Sequence, residues 1–175
     1  MTSFTYRDGT PADAATLARV GARAFTDTFG HLYDPADLSA FLAASYSPAA
    51  WDADLRDPGV RIRIVEDSGE VCGYAKFGPL KLPVDTERPA AELRALYILS
   101  RWHGTGAAQS LMDWTIAEAR RVAADELYLS VYCDNHRARR FYERYGFRYV
   151  KPYAFVVGNH QDEDHILRLD LKDPA

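Results

Sequence analysis

The chain has little cysteine, no long apolar run and no basic leader, and each gap closes off a class of protein. Only Cys72 and Cys133 occur among 175 residues. They are far apart and in no C-x-x-C spacing, so two free, buried thiols in a reducing compartment are expected rather than a disulfide framework. No apolar stretch nears the roughly 20 residues that span a bilayer. Residues 1–13 lack the basic-then-apolar pattern of a secretory signal, so a cytoplasmic protein with no membrane partner is expected. The five histidines show no H-x-x-x-H spacing, and no metal site is expected. A net charge of −4 speaks against wholesale nucleic-acid binding. There is no repeat, low-complexity tract or linker, and the length fits one domain, residues 1–175.

What is present reads as alternating strands and helices. Residues 4–7 form a first strand. Thr10 and Pro11 open a helix in which Leu17, Gly21, Phe25 and Phe29 share a face. Helices at 35–45 and from Pro48 follow, the second ended by Asp57-Pro58-Gly59. Strands at 60–66 and 71–77 join through a hairpin turn at 67–70. A loop leads to a strand at 92–99, a helix at 105–124, a strand at 127–132 and a helix at 136–145. Strands at 147–157 and 166–171 close the chain, with a polar turn at 158–164 between them. The 92–132 unit is β-α-β, so its strands are parallel neighbours. The expected fold is α+β: a mixed, mostly antiparallel sheet of about seven strands with helices on both faces.

Two stretches carry chemistry. In the first, a strand ends at Ile98-Leu99 and Gly104 and Gly106 precede a helix. Glycines let backbone pass close to a ligand, and the free N–H groups of a helix's first turn suit a phosphate. A Rossmann loop fits poorly, because Gln109 stands where Gly or Ala is wanted and no acid closes the next strand at the right distance. A Walker loop is excluded, since no Gly-Lys-Ser/Thr follows. The second stretch runs from Asn135 through Ala138, Phe141, Tyr142 and Tyr145 to Gly146-Phe147, with Asn135 as helix cap and Gly146 as C-cap.

This second stretch resembles the N-x-x-A-x-x-F-Y-x-x-x-G-F signature of the GNAT superfamily of N-acetyltransferases, and the first resembles that family's pyrophosphate loop. By element order and motif, the resemblance covers roughly residues 60–171. Two registers fit the loop, Arg101-x-x-Gly104-x-Gly106 and His103-x-x-Gly106-x-Ala108, and the second is preferred. The resemblance implies an acetyl-CoA-dependent N-acetyltransferase acting by direct attack in a ternary complex, with no metal and with homodimers common. Tyr97, Ile98 and Leu99 would hold the pantetheine arm. His103, Gly104, Thr105, Gly106, Ala107, Ala108 and Gln109 would hold the pyrophosphate. Asn135 would touch the pantetheine, and Arg144, from the basic set Arg137, Arg139, Arg140 and Arg144, the nucleotide. Tyr142 would protonate the leaving thiolate.

Glu92 is the expected general base, six residues before Ile98 and so on the same face of a regular strand. Asp134 is a weaker alternative. Residues 27–57 hold six acids, Asp27, Asp34, Asp37, Asp52, Asp54 and Asp57, against Arg56 alone. Such a wall would attract a small cationic amine. His31 and Tyr33 are secondary candidates there. The pattern A-F-T-D-T-F-G with Y-S and L-R-D-P resembles bacterial spermine/spermidine N-acetyltransferases. Two other readings are carried forward: a non-catalytic CoA-binding sensor or interaction module, and a nucleotide-binding oxidoreductase.

Overall fold

A computed structural model describes residues 3–172. Strand β1 (Phe4–Asp8) is followed by a short 3-10 turn and helix α1 (Ala14–Phe29). Helices α2 (Pro35–Ser45) and α3 (Pro48–Arg56) come next. Each starts with proline at its first position and a side-chain cap. Asp34 accepts the Ala36 N–H at 2.9 Å and Ser47 accepts the Ala50 N–H at 3.2 Å. Strands β2 (Arg61–Asp67) and β3 (Glu70–Pro79) form a hairpin closed by Ser68 and Gly69, at φ 53° and 85°. Then follow β4 (Ala90–Ile98), α4 (Ala107–Arg121), β5 (Glu126–Tyr132), α5 (His136–Arg144), β6 (Arg148–Val157) and β7 (His160–Asp170).

The seven strands form one sheet in the order β1-β2-β3-β4-β5-β7-β6. β4 and β5 pair in parallel; the other neighbours are antiparallel. The α+β architecture with helices on both faces is therefore as expected. Helix α1 lies on the face of Tyr74: a Cβ on Gly21 would sit 3.0 Å from the Tyr74 hydroxyl, and Trp51 of α3 meets the Tyr74 ring edge-on. The crossovers through α4 and α5 run in the same direction along the sheet, so right-handedness sets both helices on the opposite face. Leu17, Ile64, Leu111, Met112, Leu127 and Leu129 are fully buried between these layers. Each contributes about 1.5–3 kcal/mol by leaving water.

Three expectations are corrected. The polar turn expected at 158–164 is only Gly158-Asn159, and β7 begins at His160. The run His160-Gln161-Asp162-Glu163-Asp164-His165 lacks apolar alternation, yet it pairs with β6 along its length and with β5 from Asp164 onward. Backbone pairing on both sides overrides the local polarity. Helix α4 starts two residues later than expected, because Thr105 turns back and its hydroxyl donates to the Trp102 carbonyl at 2.7 Å. Both thiols are free, but Cys133 is half-buried rather than buried. Among the described residues no helix is long and apolar enough to cross a membrane.

Candidate active site

The site begins where two strands part. Parallel pairing of β4 with β5 covers only Ala90–Glu126, Ala91–Leu127 and Glu92–Tyr128. On the other side of β4, Leu93 faces Phe77 and Ala95 faces Lys76, which leaves Arg94 without a partner in β3. Arg94 is thus a bulge, and it bends the strand and reverses which face each later residue presents. Beyond it, residues 93–98 and 129–132 become opposite walls of a cavity of about 730 Å³. The cavity passes through the wedge, with α4 and α5 at one end and the α1–α2 region at the other.

The bulge corrects the expectation for Glu92. Glu92 and Ile98 do not share a face: Glu92 pairs with Gly78 before the bulge and Ile98 with Gly73 after it. The Glu92 carboxylate is buried and accepts the backbone N–H groups of Lys81 at 2.7 Å and Leu82 at 3.2 Å. It does not line the cavity. Its chemistry is spent holding the loop before β4.

At the other end stands the glycine loop. Gly104 and Gly106 have φ of +76° and +89°, where a side chain is strained. The N–H groups of residues 104–109 donate to no group among the described residues. These six donors belong to residues that line the cavity beside the positive end of the α4 dipole, a composition that suits an anion. His103 to Gln109 line the cavity, and Arg101 does not: its side chain stacks on Trp102 and lies near Glu70. His103 itself turns back to the strand. Its Nε2 lies 2.7 Å from the Ile98 carbonyl, and its Nδ1 faces the Arg137 guanidinium. Donation from Nε2 and acceptance at Nδ1 satisfy both contacts. The positive charge missing from the loop is supplied by Arg137, which lines the cavity together with Arg144. Arg139 is engaged with the Cys133 carbonyl and Glu143.

Helix α5 carries Tyr142 into the wedge. Asn135 caps it, accepting the Ala138 N–H at 3.2 Å, and both Asn135 and Tyr142 line the cavity. Burial alone pushes the Tyr142 phenol well above its ordinary value. The group therefore keeps its proton through neutral pH, as a donor must. Tyr97 and Ile98 line the cavity. Leu99 does not: its N–H donates to the Cys72 carbonyl at 2.9 Å, which ties it to β3.

The far end is aromatic and acidic, though not with the acids expected. Phe25, Phe29, Phe41, Tyr46 and Phe155 form its walls. Of the six acids between 27 and 57, only Asp54 lines the cavity, and Lys76 neutralises it at 2.5 Å. Asp34 is a helix cap, Asp57 accepts the Gly59 N–H, and Asp52 and Asp27 pair with Arg56 and Arg23. Instead β7 supplies Asp162 and Asp164, 7% and 8% exposed, both lining the cavity. Asp162 accepts from the Tyr33 hydroxyl and lies 2.8 Å from His160 Nε2. Burial and the neighbouring Asp162 push the Asp164 carboxyl up to about 7, against a hydrogen bond from Ser130 that lowers it. Of the secondary candidates Tyr33 lines the site and His31 does not. Asp162 and Asp164 went unread because their segment looked like a turn; their i, i+2 spacing in phase with Ile166 is the signal that marks a strand face.

The model of the acetyltransferase (GNAT) family matches residues 24–147. The chain belongs to this family. An uncharacterised N-acetyltransferase of Mycobacterium tuberculosis is 33% identical over 159 residues, covering 91% of this chain and 98% of the relative. An uncharacterised N-acetyltransferase of Lactobacillus delbrueckii is 25% identical, covering 91% and 92%. Among solved structures, the PaiA N-acetyltransferase of Thermoplasma acidophilum in complex with coenzyme A superposes with a TM-score of 0.78 at 16% identity, over 96% of this chain and 99% of that one. As a GNAT protein the chain is an acetyl-CoA-dependent N-acetyltransferase.

Proposed function

We propose that the protein moves the acetyl group of acetyl-CoA to a primary amine of a small, cationic acceptor by direct attack with both substrates bound. The observation that carries this is the row of six unpaired N–H groups, residues 104–109, at the mouth of a cavity that continues to Asp162 and Asp164. The N–H groups hold the pyrophosphate, while Arg137 and Arg144 add charge for the nucleotide. Residues 93–97 lack a β-strand neighbour on the wedge side, so their backbone groups are available to the pantetheine arm and to the thioester oxygen, whereas the Ile98 carbonyl is taken by His103. The amine forms the new C–N bond as the C–S bond breaks. Tyr142 gives its phenolic proton to the leaving sulfur, whose thiol pKa is near ~8.5. It regains one from the acylated nitrogen.

A cytoplasmic setting matches the two free thiols. The A-F-T-D-T-F-G pattern of α1 favours a polyamine as the acceptor. A sensor module that binds CoA without transfer needs neither Tyr142 in the wedge nor an acid at the far end. An oxidoreductase needs a nucleotide loop of another pattern.

The test is release of CoA thiol from acetyl-CoA across a panel of amines that includes spermidine. Acetylated product appearing in step with thiol supports the reading. Tight acetyl-CoA binding without transfer to any amine favours the sensor module instead.

A further inference from the structure

The mechanism above leaves one demand unmet, since an alkyl ammonium must lose a proton before it can attack, and Glu92 is occupied elsewhere. Asp164 answers this demand by position. It sits opposite Tyr132 in the β5–β7 register, on the face of Ser130, within the segment of β5 that forms the wedge wall. It is 8% exposed, lines the cavity, and has no salt-bridge partner among the described residues. Two residues away, Asp162 is fixed by Tyr33 and His160. A buried carboxylate opening into a cavity, with a second one held beside it, is a costly arrangement unless a cation completes it.

We propose that Asp162 and Asp164 form the seat of the acceptor's ammonium group, and that Asp164 takes the proton that frees the amine for attack. This rests on the acetyl-transfer reading of the same cavity. The N–H bond of the ammonium breaks, an O–H bond forms on Asp164, and the electron pair stays on nitrogen to form the C–N bond. Asp164 then passes its proton to solvent. Asp162 stays beside it, held in place by Tyr33 and His160. Phe25, Phe29 and Phe155 supply ring faces and apolar walls for the acceptor's carbon body. The acceptor class is therefore an alkyl or arylalkyl amine that enters as a cation.

The groups that surround Asp164 are Asp162 on its own strand, Ser130 and Tyr132 on β5, Cys133 just after it, Tyr153 on β6 and Tyr33 before α2. Across the cavity stand Lys76, Lys81, Arg94 and Asp54, of which Lys76 and Asp54 neutralise each other. Carboxyl 13C NMR of the protein with CoA bound reads the site without turnover. In the wild type the Asp164 resonance, identified by its loss in Asp164→Asn, should titrate near neutral pH and shift on adding spermidine or benzylamine. Asp162→Asn removes a neighbouring negative charge, so the same resonance should titrate at lower pH. Asp164→Asn should weaken amine binding at least tenfold and cut kcat/KM about 100-fold at pH 7, with acetyl-CoA affinity unchanged.

A resonance that no amine shifts overturns the proposal, whatever the rate of transfer. Transfer that survives in Asp164→Asn within twofold overturns Asp164 as proton acceptor and leaves acetyl transfer standing. Amines that bind at Asp164 but are never acetylated overturn the transfer reading and, with it, the base role, while the ammonium seat stands. If Asp164→Asn fails to fold, Asp164→Glu identifies the resonance by its displacement, and the response of that resonance to added amine decides.

Discussion

The two ends of the cavity are built from different materials. The proposed cofactor end is backbone: two glycines at positive φ, six N–H groups without acceptors among the described residues, and an open strand edge, all within residues 93–109. The acceptor end is side chains drawn from α1, the α1–α2 connection, α2, β5, β6 and β7. Backbone recognition depends on local conformation and tolerates change in most neighbours. Side-chain recognition depends on tertiary placement of a few groups. A ligand shared by a whole family suits the first construction, and an acceptor that differs between members suits the second.

Mutations should separate the ends accordingly. The largest effect is expected at their junction. Tyr142→Phe should lower kcat about 100-fold while acetyl-CoA binding, followed by calorimetry, changes less than about twofold; a parallel loss of both would make Tyr142 a packing residue. At the cofactor end, Gly106→Val forces a β-branched residue to φ +89°. That strain costs about 1–2 kcal/mol, so acetyl-CoA should bind about tenfold more weakly, with the pH–rate profile unmoved.

Smaller effects are expected in stability. Asp164 is raised from the carboxylate range to about 7 by burial and by Asp162. Its ionisation therefore destabilises the fold, starting as pH rises through the unfolded carboxyl's value and complete above about 7. Asp164→Asn should raise Tm by several degrees at pH 8 and leave it unchanged at pH 4, as scanning calorimetry can check. An unchanged Tm at pH 8 would mean that Asp164 is better solvated than its 8% exposure suggests. Glu92→Gln acts in the opposite direction. It weakens the charge-assisted bonds to Lys81 and Leu82, about 1–2 kcal/mol, and lowers Tm by a few degrees. Its turnover should stay within about twofold of wild type.

Legibility followed the same division. The glycine loop, Asn135 and Tyr142 are local patterns, and the chain alone pointed to them. The succession of strands and helices along the chain was readable from apolar periodicity, whereas the place of β7 between β5 and β6 was not read. What escaped was non-local. The Arg94 bulge inverted the face of Glu92 relative to Ile98, and nothing in Glu92-Leu93-Arg94-Ala95 announces a bulge. The start of β7 reads as a turn, because its acids face a cavity instead of solvent or core. The six acids of residues 27–57 stood out by their number, yet most of them serve caps and helix-surface pairs. Counting charge along the chain misjudged them, since the acids buried in the cavity are Asp162 and Asp164, on a strand far later in the chain. Arg137 was read only as one of a basic set from which Arg144 was chosen, and its contact with His103 needed the turn between β5 and α5 to bring them together.

One measurement tests most directly where the acceptor loses its proton: kcat/KM for the best amine against pH, for the wild type, Glu92→Gln and Asp164→Asn side by side. The expected result is an acidic limb with a midpoint near 7 in the wild type, the same limb in Glu92→Gln, and its disappearance in Asp164→Asn with a reduced rate throughout. A limb that vanishes in Glu92→Gln and persists in Asp164→Asn would contradict this, and would return the base to the strand edge where the chain alone had suggested it.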